Sequence, residues 1–462
     1  MNFLIVLYFL LFLFLSRLNL KMAVLVLIFS LPSYLIRFNI FSVPTTLLEV
    51  MILIVFTFFL FNKRKEIFKN TTKKWAQKIP YPFSWEIILI LALSFVAIFI
   101  ADLNSSALGI FKAYFLEPIF LFIVIVNIFR SEKDIKKIFY ALSLSALTVS
   151  LVAIWQKITG QFIFNEFWAN PENRRVVSFF GYPNAVALYL GPIIPISIGL
   201  FIYKIKERGS LNSFLKQLIL FITILSSCLA IYFSKSKGAI LAIGLSFVFV
   251  IFILIKRKYK IYLLILFLAL IPSFYFYKKD WINLKLSSSL SYQIRLIGWQ
   301  ETTSMLNDGN FLWGAGLANY QNKIKEYHQE GFFFNKDSDP DFKRKIIIFD
   351  DKYRAERWQP LEIYLYPHNI FLNFWTEIGL IGAIIFMFLI FKSLFISLKA
   401  GLKEKNSKES FLYLGIFSSL LIITIHGIFD VPYFKNDLSV LFWVILSILA
   451  IYQLKQKTKK YE

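Results

Sequence analysis

One cysteine, Cys228, is present, and it sits inside an apolar block. Neither an intrachain disulfide nor a cysteine-based metal site can form. Histidine is nearly as scarce: His328, His368 and His426 are the whole set, and no two stand at the spacing of a helical zinc motif. The expectation is an activity with no metal and no cofactor. Acidic residues are also few, 28 against 51 Lys and Arg, and charged residues make up 17% of the chain. A soluble domain carries about a quarter. The hydrophobic share is 58% and the mean hydropathy is +0.63, more apolar surface than a soluble core can absorb. A net charge of +23 would suggest nucleic acid in a soluble protein, but no RNA- or DNA-binding motif accompanies it. The basic residues gather instead at the ends of apolar blocks, which is the positive-inside pattern of a membrane protein. The expected partner is a lipid bilayer and not nucleic acid.

Apolar segments fall at 2–16, 22–36, 45–61, 85–102, 111–128, 138–158, 183–203, 215–233, 238–255, 261–277, 369–391, 411–428 and 437–454. Most approach the ~17–25 residues that cross a hydrocarbon layer; the first two are short. The prediction is an all-α, polytopic transmembrane helix bundle of 12–13 spans, a single transmembrane domain over residues 1–462. The block from Asn2 to Leu15 lacks the basic start and small-residue cleavage site of a signal peptide, and reads as a retained span. The basic loops are Lys63 to Lys78, Arg130 to Lys137, Lys204 to Lys216, Lys256 to Lys260, Lys392 to Lys408 and Lys455 to Lys460. All fall on one side when the spans alternate, and the charge rule makes that side cytoplasmic. The other side carries two longer loops, Gly160 to Tyr182 and residues 278–368. The second is amphipathic and predicts a small extracytoplasmic cap. Helical patterns lie around Ser291 to Leu306 and Ala318 to Tyr327, with turns at Asp337 to Asp341 and at Pro360. No internal repeat or pair of broken helices is visible, which argues against a secondary transporter.

Polar groups within or beside a span are costly and are candidates for function. Here they cluster toward the outer face. Pro367-His368-Asn369 opens a span on which Asn369, Asn373 and Glu377 recur every four residues and share a face. Gly379 and Gly382 then form a small-residue step that admits a close helix. Capping of the span by His368 and Asn369 is the structural alternative, against which the buried Glu377 weighs. Ser234-Lys235-Ser236-Lys237-Gly238 is a tight outer turn whose lysines run against the charge bias. Either they snorkel, or a negative group meets them: an anionic substrate, Glu377, Asp430 or lipid phosphate. Arg295, on an outer amphipathic pattern, offers a planar fork that matches phosphate oxygens; its alternative is a solvated side chain. Arg174 and Arg175, before Gly181-Tyr182-Pro183-Asn184, again place cations outside. His426 and Asp430, four apart at an outer helix end, read as an ion pair closing the helix. Together these residues describe a cationic outer pocket with one well-placed histidine. An imidazole can take a proton near pH 7, and the cations can stabilise a diphosphate leaving group. Such a site suits a transferase acting on a lipid diphosphate donor.

At this point the chain resembles the O-antigen ligase and O-antigen polymerase superfamily of bacterial membrane glycosyltransferases. The ligase pattern stands complete as His368-Asn369, nine residues, then Gly379-Leu380-Ile381-Gly382. Arg295, Trp299 and Trp313-Gly314-Ala315-Gly316 match its Arg…Trp element and glycine-rich turn, and Gly181 to Asn184 is similar to its span start. One departure is Ser236-Lys237-Gly238, where the family carries Ser-Arg-Gly: lysine keeps the charge and loses the bidentate fork. The resemblance implies a GT-C-like helix bundle in the bacterial cytoplasmic (inner) membrane, with its active site on the extracytoplasmic face. It also implies metal-independent, inverting transfer of a glycan from an undecaprenyl-diphosphate carrier. His368 would be the base and Arg295 the main diphosphate clamp. Lys237 and Arg175 would support it, with Arg174, Lys235, Asn184 and Asn369 on the substrate side and Glu377 an orienting or acceptor-side carboxylate. The implied acceptor is a glycolipid, a glycan or a protein. Lipid A core (O-antigen ligase) is favoured over a growing O-antigen or exopolysaccharide chain (polymerase) and over a protein hydroxyl (O-oligosaccharyltransferase). A lipid-linked glycan flippase or another transporter would need charges deep in several spans, whereas the polar residues here lie toward one face.

Overall fold

The computed structural model describes residues 3–41, 43–69, 81–206, 211–256, 258–262, 265, 277–279, 288–348, 351–403 and 407–461. Apolar stretches become helices because only an intrasegment hydrogen-bond ladder satisfies the backbone in lipid. In chain order these are α1 (Phe3–Leu18), α2 (Leu20–Phe29), α3 (Leu47–Lys69), α4 (Ser84–Ile100), α5 (Ser105–Ile110), α6 (Glu117–Ile128), α7 (Glu132–Thr159), the short α8 (Glu166–Ala169), α9 (Pro183–Ile205), α10 (Leu211–Ser234) and α11 (Lys237–Leu254). A π-helical turn, Phe111–Leu116, joins α5 to α6. After the long loop come α12 (Leu290–Asn307), α13 (Tyr320–Ile324), α14 (Phe342–Ile347), α15 (Asp351–Arg357), α16 (Ile370–Lys403), α17 (Ser410–His426) and α18 (Asn436–Tyr461). Seven of the described helical stretches are long and apolar enough to cross a membrane, and α1, α2, α4 and α17 are apolar but shorter. The fold is thus an all-α bundle of a multi-pass membrane protein. The segment expected at 261–277 lies largely outside the described residues.

The bundle is organised around α9, which packs on α7, α10 and α17. Glycines set the closest of these approaches. A Cβ at Gly199 would lie 2.3 Å from the Phe411 carbonyl, and one at Gly415 would lie 2.6 Å from the Pro195 carbonyl. Small residues therefore let two backbones touch, as helix association in lipid requires. Helix α16 packs on α17 and α4, and α18 on α6. At one end the basic loops converge: Lys21 pairs with Asp134 at 2.9 Å and Lys455 with Glu132 at 3.0 Å, and Lys136 donates to the Tyr203 hydroxyl. There Ser131 and Asp134 form a capping box at the start of α7.

Two small antiparallel ribbons interrupt the helices. Strands β1 (Arg37–Ile40) and β2 (Val43–Thr46) form a hairpin before α3, and β3 (Gly331–Phe333) pairs with β4 (Trp358–Pro360) in the long loop. Pro360 ends a strand and is not a turn. It can do so because a proline lacks only the donor, which a strand end does not need. The expected loop helices appear as α12 and α13. Met305, Leu306, Ala315, Tyr320 and Ile324 form a small core there, packed against Leu372 and Trp375 of α16.

Candidate active site

The site is built at the end of the bundle opposite the basic loops. Its framework is a break in α16. The helix runs from Ile370, stops at Ile378 (φ −128°) and Gly379 (φ +78°), and resumes. The break frees backbone groups, and the glycine-rich turn takes them up. Leu380 donates to the Leu312 carbonyl at 3.0 Å, and Ala315 donates to the Thr376 carbonyl at 2.7 Å. Ala318 donates to Glu377 Oε2 at 2.8 Å. Gly314 (φ +71°) and Gly316 (φ +84°) give the turn its left-handed bends. The close neighbour expected at the Gly-x-x-Gly step is therefore this turn and not another helix. It fixes α12 and the start of α16 relative to each other, and Trp299 adds a tie by donating from its indole to the Pro367 carbonyl at 2.9 Å.

His368 stands just before α16, in the left-handed region at φ +49°. Such a backbone is costly for a residue with a Cβ, and strain of this kind concentrates at functional positions. The ring meets Tyr364 and Tyr366 edge-on, with centroids 5.0 and 6.2 Å away. Nδ1 lies 3.6 Å from Asp430 Oδ1, and the side chain is a quarter exposed while Asp430 is buried. Nδ1 has no hydrogen-bond partner among the described residues, so Asp430 is the group that faces it.

Asp430 also accepts from Asn184 Nδ2 at 3.3 Å and from the Val431 N–H at 2.9 Å. Burial pushes its carboxyl up. The approach of His368, the nearby His426 and the Val431 N–H outweigh that and hold it well below the usual carboxylate range. It is therefore ionised at neutral pH. Because its folded value is depressed, the stability it contributes is present above about pH 4, the ordinary carboxylate value, and is lost as pH falls through the folded value. Asp430→Asn is expected to flatten the acid limb of thermal stability below about pH 4. It should also lower kcat by on the order of a hundredfold, because the orienting charge on the imidazole is gone. Melting temperature against pH and kcat, measured on both proteins, check the two effects.

A cleft of about 460 Å³ opens beside Asp430. Arg175, Lys235, Lys237 and Arg295 line it, together with His426 and Trp299. The Arg295 Nε donates to the Phe429 carbonyl at 2.8 Å and Nη1 to the Ser291 carbonyl at 3.1 Å. Arg175 is anchored through Nε to the Ser234 carbonyl and through Nη2 to Asn184 Oδ1, and burial lowers its pKa. Lys235, itself at φ +55°, donates to Asn173. Lys237 opens α11 and has no carboxylate partner among the described residues. Gly238 leaves room for His426, whose ring would sit 3.3 Å from a Cβ there. Arg175, Lys235 and Arg295 are thus held by neutral groups, with Asp430 the carboxylate among the residues lining the cleft.

Other expected site residues lie apart from this group. Arg174 donates to the Lys157, Ile158 and Ala169 carbonyls and closes the end of α7. The Asn369 side chain accepts from the Phe371 and Leu372 N–H groups and donates to the Ile428 carbonyl, the geometry of a helix cap worth about 1 kcal/mol. Glu377 is buried against the glycine-rich turn, and Asn373 on the same face is fully buried. Sequence reasoning read Asp430 as one half of a helix-end pair or as a negative group meeting the outer lysines, and did not single out Tyr364 or Tyr366. For Asp430, an acidic residue four beyond a histidine, at the same end as the cations, was the available signal.

Residues 221–387 match the family model described as O-antigen ligase. No curated protein matches the chain. The matched stretch holds Lys235, Lys237, Arg295, Trp299, His368 and the broken part of α16. It bears out the resemblance to the O-antigen ligase and polymerase superfamily, and it supports a glycosyl-transferring activity of the ligase or polymerase type.

Proposed function

We propose, from this match and the cleft it largely covers, that the chain moves a glycan from an undecaprenyl-diphosphate carrier to an acceptor hydroxyl. The leading reading is an O-antigen ligase whose acceptor is lipid A core, in the bacterial cytoplasmic membrane. The observation that carries the transfer reading is the convergence of Arg175, Lys235, Lys237 and Arg295 on a cleft whose carboxylate, Asp430, faces His368. The opposite end of the bundle bears the basic loops, and the charge rule turns that end to the cytoplasm. The cleft then opens on the extracytoplasmic face.

In this reading the Asp430 charge, 3.6 Å from His368 Nδ1, favours a proton on that nitrogen, which leaves Nε2 free to take the acceptor's hydroxyl proton. The resulting alkoxide-like oxygen attacks the anomeric carbon from the side opposite the diphosphate. The glycosidic bond to the acceptor forms as the bond to the diphosphate oxygen breaks, so the configuration inverts. Undecaprenyl diphosphate departs with the electron pair, and the four cations stabilise its charge. Here the cations supply the charge stabilisation without a metal. Asn184, bonded to both Arg175 and Asp430, couples the diphosphate side of the cleft to the base.

Purified protein in liposomes, given carrier-linked glycan and lipid A core separately, tests the reading. Glycan on lipid A core establishes the ligase, and longer chains still on the carrier establish a polymerase. Absence of transfer to lipid A core, glycan and protein acceptors alike overturns the reading. Arg295→Lys is expected to lower kcat/KM for the donor by on the order of tenfold, with part of the loss in kcat, because the side chain meets charge that grows as the diphosphate leaves. A lysine cannot hold the Phe429 and Ser291 carbonyls and still present a donor to phosphate. Initial rates at varied donor concentration check this.

A further inference from the structure

A second cleft, of about 880 Å³, adjoins the first. Gly181 and Tyr182 line it just before Asn184 lines the first, and Tyr366 lines it two residues before His368. Its walls come from distant parts of the chain: the β1–β2 hairpin, the π-helical turn and the start of α18. Glu49 ties them together. One carboxylate oxygen accepts from Thr45 Oγ1 and Lys112 Nζ, both at 2.8 Å, and the other accepts from Asn436 Nδ2 at 2.9 Å. The π turn presents Lys112 and Tyr114 to the cleft, and π turns of this kind recur at functional sites.

The chemistry of this cleft differs from that of the first. Two of its three cations are matched: Lys112 pairs with Glu49 at 2.8 Å and Lys435 with Asp437 at 3.5 Å. Arg37, at the exposed rim, has no carboxylate partner among the described residues. Rings dominate instead. Tyr34, Tyr114, Tyr182 and Tyr366 line the walls. The buried Lys435 ammonium lies 5.1 Å from the Tyr34 ring, 4.3 Å from Phe180 and 5.9 Å from Tyr182, which sets the ring wall in place. Burial pushes the Tyr366 phenol up to about 12 and Tyr182 well above its ordinary value, so both remain hydroxyl donors. Flat ring faces suit the C–H faces of pyranose rings, and the surrounding phenols, amides and hydroxyls suit sugar hydroxyls.

We infer that this second cleft is the acceptor subsite and that it takes an uncharged oligosaccharide portion of the acceptor, whose hydroxyl reaches His368 past Tyr366. The inference rests on the transfer reading. It divides the labour between a cationic cleft for the carrier diphosphate and a ring-lined cleft, with two of its three cations paired, for the acceptor glycan.

Gly109 supplies the test. It lines the second cleft, and a Cβ built there meets no atom within 4 Å. Gly109→Trp therefore adds bulk at the wall of the cleft from a position where the first side-chain atom meets no neighbour. The full chain in nanodiscs is titrated with a fluorescent uncharged oligosaccharide, with the same oligosaccharide carrying one phosphate, and with undecaprenyl diphosphate. The expected result is a loss of at least about tenfold in binding of the uncharged oligosaccharide by Gly109→Trp, with undecaprenyl diphosphate binding unchanged. The wild type should prefer the uncharged over the phosphorylated oligosaccharide. Asn39→Ala, on the exposed hairpin, should weaken the same binding by about threefold, through one lost hydrogen bond. Equal oligosaccharide binding by wild type and Gly109→Trp overturns the inference, as does preference for the phosphorylated probe. An unchanged acceptor KM in a Gly109→Trp protein that still transfers glycan removes the subsite and leaves the transfer reading standing. Oligosaccharide binding that Gly109→Trp abolishes, in a wild type that transfers nothing, keeps the sugar site and removes the transfer reading.

Discussion

His368→Ala should abolish glycan transfer, lowering kcat by on the order of a thousandfold or more, within the reach of a lost general base and its positioning. Protein yield, insertion and carrier diphosphate binding should stay near wild type, because the cations lie on other elements. Alanine isolates the side chain well. Position 368 is left-handed at φ +49°, and alanine carries the same Cβ penalty as histidine there, about 1–2 kcal/mol. His368→Gly relieves that strain and should make the protein slightly more stable while leaving it equally inactive. Melting curves and single-turnover rates on the two variants separate strain from chemistry. A glycine variant more stable but inactive assigns the loss to the imidazole. Recovery of activity in either variant removes His368 as the base.

Gly379→Ala is expected to damage the site through its frame. A Cβ at Gly379 would sit 2.4 Å from the Leu312 carbonyl oxygen and 3.1 Å from the Trp313 Cα, at a backbone φ of +78°. Backbone cannot retreat as a side chain can. The turn must move, and with it go the Leu380–Leu312 and Ala315–Thr376 hydrogen bonds and the contact of Ala318 with Glu377. The combined cost is over about 3 kcal/mol, from the left-handed backbone and the lost buried hydrogen bonds. The expected outcome is a lower melting temperature together with at least tenfold weaker transfer. Gly382→Ala is the comparison. There the three nearest atoms to the added Cβ all belong to the Ile378 side chain, two of which a rotamer change can move, and the backbone is not left-handed, so the loss should be smaller. Equal melting temperatures for the two variants would mean that the break in α16 does not need its glycine.

The helices were legible because their apolar blocks are long and bounded by charge. Lys21, Lys136 and Lys455 meet groups on neighbouring helices at the basic end, as alternate threading of the spans requires. The motif residues were legible as types, and the structure brings His368, Arg295, Arg175, Lys235, Lys237 and Asn184 to one end. Which polar residues serve the fold was not legible. The four-residue spacing of Asn369 and Glu377 is what one helix face produces. It does not reveal that Asn369 caps the helix or that the partner of Glu377 is the backbone of Ala318, 59 positions away. The approach of Asp430 to His368 was not legible for a related reason. The sequence neighbour of Asp430, His426, offered a local partner, and the facing group, His368, is 62 positions distant. Glu49 could not be read as a tie, because its partners lie on β2, the π turn and α18. Long-range pairings of this kind leave no period in the sequence.

The most direct measurement is a reconstituted transfer assay that counts both products. Wild-type protein in liposomes, supplied with undecaprenyl-diphosphate-linked glycan and acceptor, should release one undecaprenyl diphosphate for each new glycosidic bond, of inverted configuration, and His368→Ala should release none. Carrier release without a new bond, or transfer that survives in His368→Ala, would contradict the account.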